Sequence, residues 1–360
     1  MKVIAAVRGS NEACFREIAE PDGPECGELL LRTKQLGVCG TDREILLSGE
    51  PAVPPGSEFL ALGHECLAEV VGVGAGCDGW TPGRLAVPIV RRPLPGFRRR
   101  PDMLALGQFT ERGILYEHGF SAPLFLDRSE FLVPVPPDLE SLAVLTEPMA
   151  VAEKGVREAD ALQRARLGDT AWPAGSPRVA VTGLGPIAYA SLLACGARGW
   201  PVSVLGRDEP DSVRARLVRE LGARYLGAVE WQCETRDVES DGFDLILECT
   251  GSDEVLVRSS GRLASCGVLV WLGSSRVPEI RPLPLDHMMR NAVLGNHLHL
   301  GSVNAARVDF ERAVAHLSWW RNRNAAAVSR ILTEHVPVDE SLACYARRTP
   351  HGIKCVVHHA

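Results

Sequence analysis

Apolar residues in the second half of this chain alternate between two patterns. Short β-branched runs at 178–182, 201–205, 243–251 and 267–273 read as strands buried on both faces. Between them lie helical stretches. Residues 189–194 read as one, and residues 211–221 as another, with Val213, Leu217, Val218 and Leu221 spaced along one face and Gly222 as its stop. Strands alternating with helices predict a parallel sheet covered on both faces. Before residue 150 the pattern changes to short strands rich in Gly and Pro, at 28–34, 66–73 and 85–88, behind a first strand at 1–8. These predict a compact β domain. A last strand at 353–357 is expected to return to it, creating a cleft between the domains as the place for a substrate.

The run at 178–182 leads directly into Gly183-Leu184-Gly185-Pro186-Ile187-Ala188 and then into a helix. Strand, glycine turn and helix in that order form a dinucleotide-binding fingerprint. Gly183 permits the turn, Gly185 lets backbone approach a pyrophosphate, and Ala188 allows close helix packing. Pro186 and Ile187 open the helix, whose free N–H groups suit phosphate. Thr250, Leu272 and Gly273 fall at the same strand ends as Gly183. The strand at 201–205 ends at Gly206-Arg207-Asp208-Glu209. An NAD enzyme usually has an acid where Gly206 stands. A small residue followed by a guanidinium suits a 2′-phosphate, so NADP(H) is expected over NAD(H). Asp208 and Glu209 stand beside it as alternative partners for a ribose hydroxyl.

A length of 360 residues suits two domains. The net charge of −6 argues against a nucleic-acid partner. No apolar run reaches the ~20 residues of a membrane span, and the apolar start is too short for a signal peptide, so a cytoplasmic protein is expected. The eleven cysteines are scattered, with no C-x-x-C pair, which argues against disulfides and a closed structural zinc site. Most read as small buried hydrophobes.

Against that background, Cys39 in Gly37-Val38-Cys39-Gly40-Thr41-Asp42 stands out, its flanking glycines freeing the backbone to present a side chain. With His64 and Glu65 in Leu62-Gly63-His64-Glu65, and Glu147 before Pro148, it gives one thiolate, one imidazole and carboxylates. That set suits a zinc ion with an open position. Other candidates read more plainly. Arg98-Arg99-Arg100, with Arg91-Arg92 nearby, reads as a solvated loop. His287, His297 and His299, in apolar strand-like flanks, read as hydrogen-bonded structural histidines. Trp319-Trp320 reads as helix packing and His358-His359 as a frayed end.

These motifs, with Val87-Pro88-Ile89-Val90-Arg91-Arg92-Pro93, Glu111-Arg112-Gly113-Ile114, His118-Gly119-Phe120 and Gly301-Ser302-Val303-Asn304, extend over nearly the whole chain. They resemble the zinc-dependent medium-chain dehydrogenase/reductases of the alcohol dehydrogenase superfamily, most of all the glucose dehydrogenase branch. The resemblance implies an α/β fold: a GroES-like β-rich catalytic domain at 1–153 and 297–360, and a Rossmann doubly wound NADP domain at 154–296. It implies that Cys39, His64, Glu65 and Glu147 serve the metal. Thr41 would bond the reacting oxygen, with Glu65 also catalytic, and Glu111, Glu147 and Asn304 would contact a polyhydroxylated substrate. Gly206 and Arg207 would receive the 2′-phosphate. Relatives with a structural zinc carry a four-cysteine lobe, whereas residues 78–194 here have no cysteine, so one catalytic zinc is expected. Val151 stands where some glucose dehydrogenases have an aspartate, leaving glucose-like sugars, aminosugars and cyclitols as substrates. A homodimer or homotetramer is expected, pairing through the edge strand at 267–273. The competing readings are a zinc-free quinone-oxidoreductase-type reductase and a non-enzymatic nucleotide-binding protein.

Overall fold

A computed structural model describes residues 1–97, 100–227, 242–274 and 282–359. In chain order the strands of the first part are β1 (Lys2–Val7), β2 (Cys14–Glu17), β3 (Glu28–Val38), β4 (Phe59–Ala61), β5 (Glu65–Val73), β6 (Leu85–Pro88), β7 (Arg91–Pro93), β8 (Phe109–Arg112), β9 (Tyr116–Glu117), β10 (Leu124–Arg128) and β11 (Leu132–Val135). Helix α1 (Gly40–Ser48) follows β3, and α2 (Thr146–Leu167) leads onward. Next come β12 (Val179–Thr182), α3 (Pro186–Ala197), β13 (Val202–Leu205), α4 (Val213–Glu220), β14 (Arg224–Leu226), β15 (Phe243–Glu248), α5 (Asp253–Ser260), β16 (Leu263–Trp271), α6 (Leu285–Leu294) and β17 (Leu298–Gly301). The chain closes with α7 (Arg307–Ser329), β18 (Leu332–Pro337), α8 (Leu342–Ala346) and β19 (Lys354–His358).

The chain divides into two units. One comprises Met1–Ala150, Asn304–Ser318 and Leu332–Ala360, the other Val151–Val303 and Trp319–Ile331. In the first, the described strands build a sheet in the order β11-β6-β5-β3-β19-β18, with β10 also on β3. The last strand does return: β19 runs antiparallel to β3, pairing Cys355 with Val38 and Val356 with Gly37. Alternation along β3 and β5 turns Leu29, Leu31, Leu36, Cys66, Ala68 and Val70 into a core completed by Phe120, Phe125 and Tyr345. Phe120 and Phe125 lie 4.9 Å apart, and the Arg112 guanidinium covers Phe120 at 4.8 Å.

In the second unit the described strands are all parallel, in the order β14-β13-β12-β15-β16-β17. That order reverses between β12 and β15, the switch point of a doubly wound sheet. Their near-continuous apolar character follows from cover on both faces. The α/β fold expected from sequence is therefore present.

Several local readings need correction. The strand near 267–273 is not an edge: β16 lies between β15 and β17, because residues 298–301 add a further parallel strand. His287 lies on the exposed helix α6, not in a strand. His297 and His299 stack with centroids 6.4 Å apart. Among the described residues, His297 Nδ1 and His299 Nε2 have no hydrogen-bond partner. His358 is not frayed, since it ends β19 and its ring meets His335 at 2.9 Å, while the His359 N–H donates to the Lys34 carbonyl. Arg91 and Arg92 are buried rather than solvated, Arg92 pairing with Asp127 at 2.6 Å. Arg98 and Arg99 lie outside the described residues. Trp320 is packed as expected, its Nε1 donating to the Leu193 carbonyl at 2.8 Å.

Phe120 is wholly buried beneath the first unit's sheet. Phe120→Ala should therefore lower stability by about 3–5 kcal/mol in urea unfolding, the usual cost of an aromatic truncation with its cavity. A loss below about 1 kcal/mol would contradict this packing.

Candidate metal centre and nucleotide turn

Three structural devices assemble the Cys39 cluster. Cys39 is the N-cap of α1, held by its own N–H donating to Asp42 Oδ2 at 2.9 Å. His64 and Glu65 sit where β5 begins, and β5 pairs with β3, opposing Glu65 to Gly37. Gly37 is glycine for want of room: a Cβ there would overlap Glu65 Oε2. Gly40, by contrast, faces open space as the first residue of α1. The expectation that both glycines loosen the backbone thus gives way to a packing role for Gly37.

The donor atoms of Cys39, His64 and Glu65 all lie within 4.8 Å of one another. His64 Nδ1 stands 3.3 Å from Asp42 Oδ1. Burial pulls the His64 imidazole down, but Asp42 and Cys39 outweigh it and hold it well above its ordinary value. Glu65 is held by Lys354 of β19, whose Nζ donates to both carboxylate oxygens, at 2.7 Å to Oε1, and to the Val38 carbonyl at 3.3 Å. Both side chains are 1% exposed. Glu147, in the first turn of α2, stands outside the compact trio but inside its field. Burial raises its carboxyl to about 7, with His64 and Lys354 lowering it and Glu65 and Glu111 raising it.

Thr41 lies half-buried in the first turn of α1, two residues after Cys39. Glu111 on β8 is buried, and three donors converge on its Oε1: Arg91 Nε and Nη2, each at 3.0 Å, and Asn304 Nδ2 at 2.8 Å. Asn304 adopts φ of 60°, and its Oδ1 accepts from the Ala305 N–H at 2.7 Å. The Arg91 guanidinium also lies 3.8 Å from the Phe109 ring. The structure thus joins Glu111 to Asn304, though 193 residues separate them in the chain.

The donor set fits zinc. It offers sulfur, imidazole nitrogen and carboxylate oxygen in one buried cluster. Buried His64 Nδ1 and Asp42 Oδ1 lack a well-formed hydrogen bond, and cation binding at the other ring nitrogen would give the pair its Nδ1–H···O bond.

In the second unit, Gly183 and Gly185 close the turn after β12. Gly185 is the N-cap of α3, and Pro186 stands at its first position with Ile187 next. Glu248, buried at the end of β15, accepts from Thr182 Oγ1, from Thr250 Oγ1 and from the Thr250 and Gly251 N–H groups. Its backbone carbonyl takes the Leu272 N–H at 2.8 Å. Glu248 therefore fixes Thr250 and Leu272 at the carboxyl edge. After β13, Gly206 is also glycine for room, since a Cβ would overlap Leu184 and the Tyr225 hydroxyl. Arg207 is exposed, and Asp208 is clamped by Arg214 at 2.6 Å and 2.7 Å.

Asp42, Glu248 and Lys354 were not singled out from sequence. Each carried one signal, a lone charged residue inside or beside an apolar strand or at a helix start. None of the helices is long and apolar enough to cross a membrane, among the described residues.

Residues 140–359 match the family model described as glucose dehydrogenase C-terminus, and residues 25–137 match the alcohol dehydrogenase GroES-like domain. The chain is 38% identical to glucose 1-dehydrogenase of Thermoproteus tenax over 348 residues, 96% of each protein. It is 35% identical to glucose 1-dehydrogenase 1 of Caldivirga maquilingensis, covering 96% of this chain and 95% of the relative. Among solved structures, the glucose dehydrogenase of Haloferax mediterranei in complex with NADP, Zn and gluconolactone superposes with a TM-score of 0.82. That match has 28% identity and covers 100% of this chain and 99% of the other.

The proton inventory makes a prediction for the metal-free protein. Folded Glu147 keeps its proton to about 7, whereas the unfolded chain releases it near 4.5. The folded state then binds the extra proton, so stability falls as pH rises through that window. His64 adds the same sign higher up: its contribution is present below 6.5 and is lost as pH rises through its raised folded value. Urea unfolding from about pH 5 to about pH 8 should show this decline, and Glu147→Gln should flatten its lower part. An unchanged slope in that variant would contradict the assignment.

Proposed function

The chain belongs to the glucose dehydrogenase family, and on that premise we propose that it oxidises a hydroxyl of a sugar or related polyol, transferring hydride to NADP⁺ at a single catalytic zinc. The observation that carries this reading is the buried convergence of Cys39, His64 and Glu65. Cys39, His64 and Glu65 would hold the zinc, with Glu147 as a further carboxylate beside it. When bound, zinc supplies a Lewis acid for the substrate oxygen and NADP⁺ a two-electron acceptor.

The chain's own residues do the rest. Thr41 Oγ1 bonds the reacting hydroxyl and passes its proton toward solvent. Lys354 holds Glu65 in one orientation. Arg91 and Asn304 saturate Glu111 Oε1, which fixes the carboxylate so that Oε2 accepts a sugar hydroxyl. Positioning of this kind, rather than covalent chemistry, is the protein's contribution. The Gly183–Gly185 turn and the start of α3, where Pro186 and Ile187 open the helix, would hold the pyrophosphate. Thr250 and Leu272, braced by Glu248, would border the nicotinamide end.

NADP is preferred over NAD. Support comes from the exposure of Arg207 and from the clamp by Arg214, which occupies the neighbouring Asp208 carboxylate. Gly206 contributes by letting Leu184 and Tyr225 close on the turn. A structural zinc of the four-cysteine kind is absent from this reading, because the lobe that would hold it has no cysteines. The protein works in the cytoplasm as a homodimer or homotetramer. Pairing through the outer strand β17 is supported by exposed Leu285, Met289, Val293 and Leu294 on α6.

Two outcomes are expected. A screen of NADP⁺ reduction across aldoses, aminosugars, cyclitols and simple alcohols, with zinc measured on the same sample, should find an aldose or related polyol preferred. Preference for a simple primary alcohol would overturn the substrate class. Arg207→Ala should raise KM for NADP⁺ by about tenfold or more, the loss of one charge-assisted hydrogen bond, with little change for NAD⁺. Equal changes for both cofactors would contradict the assignment.

A further inference from the structure

A second cluster of soft and hard donors converges in the first unit. Glu334 on β18, Cys344 on α8 and Cys355 on β19 place their ligand atoms within 4.8 Å of one another. The fold brings them together by register. β18 and β19 are parallel, and Glu334 lies directly opposite Cys355. Helix α8 then lays Cys344 over the pair, with Leu342 and Cys344 packed on the core that includes Leu36, Tyr345 and Val357. Arg43 of α1 fastens this helix, its Nη2 donating to the Cys344 carbonyl at 2.9 Å. Cys355 is buried, whereas Glu334 and Cys344 are half-exposed, so the cluster has one open side.

This is not the Cys39 site. Successive residues of a strand point to opposite faces, and Lys354, the neighbour of Cys355, reaches Glu65. Nor is it a four-cysteine lobe, since it draws on three separate elements near the chain end. Nothing in the proposed dehydrogenation uses these residues.

We propose that Glu334, Cys344 and Cys355 form a second metal site, taking a soft divalent cation, zinc in the first instance, with solvent at the fourth position. Two sulfurs and one carboxylate select zinc-like ions over magnesium or calcium, which need all-oxygen shells. Charge balances locally. Two thiolates and one carboxylate are offset by the divalent ion and by Arg43, whose charge acts on Cys355. In the metal-free protein, burial pushes the Cys355 thiol far up, with the neighbouring Cys344 and Glu334 adding to it. Cation binding therefore forms two metal–sulfur bonds and releases the two thiol protons to solvent. The thiols are neither oxidised nor reduced. The site is independent of whether the Cys39 cluster is catalytic.

The test uses the full-length protein with its resident zinc in place. Cobalt(II) is added, and near-ultraviolet thiolate-to-cobalt absorption is followed to saturation. Alkylation of Cys344 and Cys355 is then timed by mass spectrometry with and without zinc. Wild type should take up one further equivalent with thiolate absorption. Zinc should slow alkylation of both cysteines by about tenfold or more, because coordination ties up the nucleophilic sulfur. Cys344→Ser should lose that equivalent while keeping the resident zinc and the NADP⁺-linked rate. Glu334→Gln, which spares both thiols, should weaken cobalt uptake and serves if the serine variant fails to fold. The proposal is overturned if wild type binds no further equivalent, if the extra equivalent survives Cys344→Ser, or if zinc leaves alkylation of both cysteines unchanged. A Cys344–Cys355 disulfide that forms equally with and without zinc would also overturn it.

Discussion

The ion pair between Lys354 and Glu65 is the constraint around which the first unit is arranged. Both charges lie in the interior, where an unpaired one is strongly disfavoured; removing one partner of such a pair typically costs about 3–5 kcal/mol. Lys354 therefore requires the last strand to run beside β3, where the Val38 carbonyl takes a further bond from its ammonium. Glu65 requires a glycine opposite it, and Gly37 meets that need. Cys39 follows two residues later, at the start of α1. One buried pair thus links the chain end, two central strands and the helix cap that presents the thiolate.

A second consequence is electrostatic. Glu65, Glu147, Glu111, Asp42 and Cys39 bring several acidic groups into a small buried volume, and Lys354 and Arg91 offset only part of them. Protons are kept there: burial holds Glu147 at about 7, and Asp42 and Cys39, against burial, keep His64 protonated beyond its usual range. A divalent cation at the proposed site would take the place of those protons. In the metal-free fold the hydrogen-bond geometry of this cluster is incomplete at His64 Nδ1 and Asp42 Oδ1.

What sequence made legible follows from the range of each interaction. The strand-turn-helix around Gly183 is local, so its elements could be read to within a few residues. The sheet order beyond β16 was less accessible. Residues 298–301 form a short run whose place in the sheet is set only by its pairing with β16, which makes it the edge. Cys39, His64, Glu65 and Glu147 were visible as unusual residue types, but their grouping depends on β3–β5 register and on α2. Lys354 and Glu248 were missed because a lone charge in an apolar strand does not announce its partner; Lys354 lies 289 residues from Glu65. Gly206 shows the reverse case. Its small size was read as space for a ligand, while the fold uses it to admit Leu184 and Tyr225. The Arg91-Arg92 pair misled for a related reason. Adjacent cations are usually solvated, but Glu111, Asp127 and the Phe109 and Phe131 rings supply buried partners that only the folded chain brings near.

The proposed function makes the anionic cluster built on Lys354 and Glu65 a catalytic metal centre. The most direct measurement is the rate of NADP⁺ reduction with an aldose in protein stripped of metal, before and after zinc is restored. A catalytic zinc requires no turnover in the stripped protein and recovery of the rate as zinc is restored. Full turnover in the verified metal-free protein would contradict it.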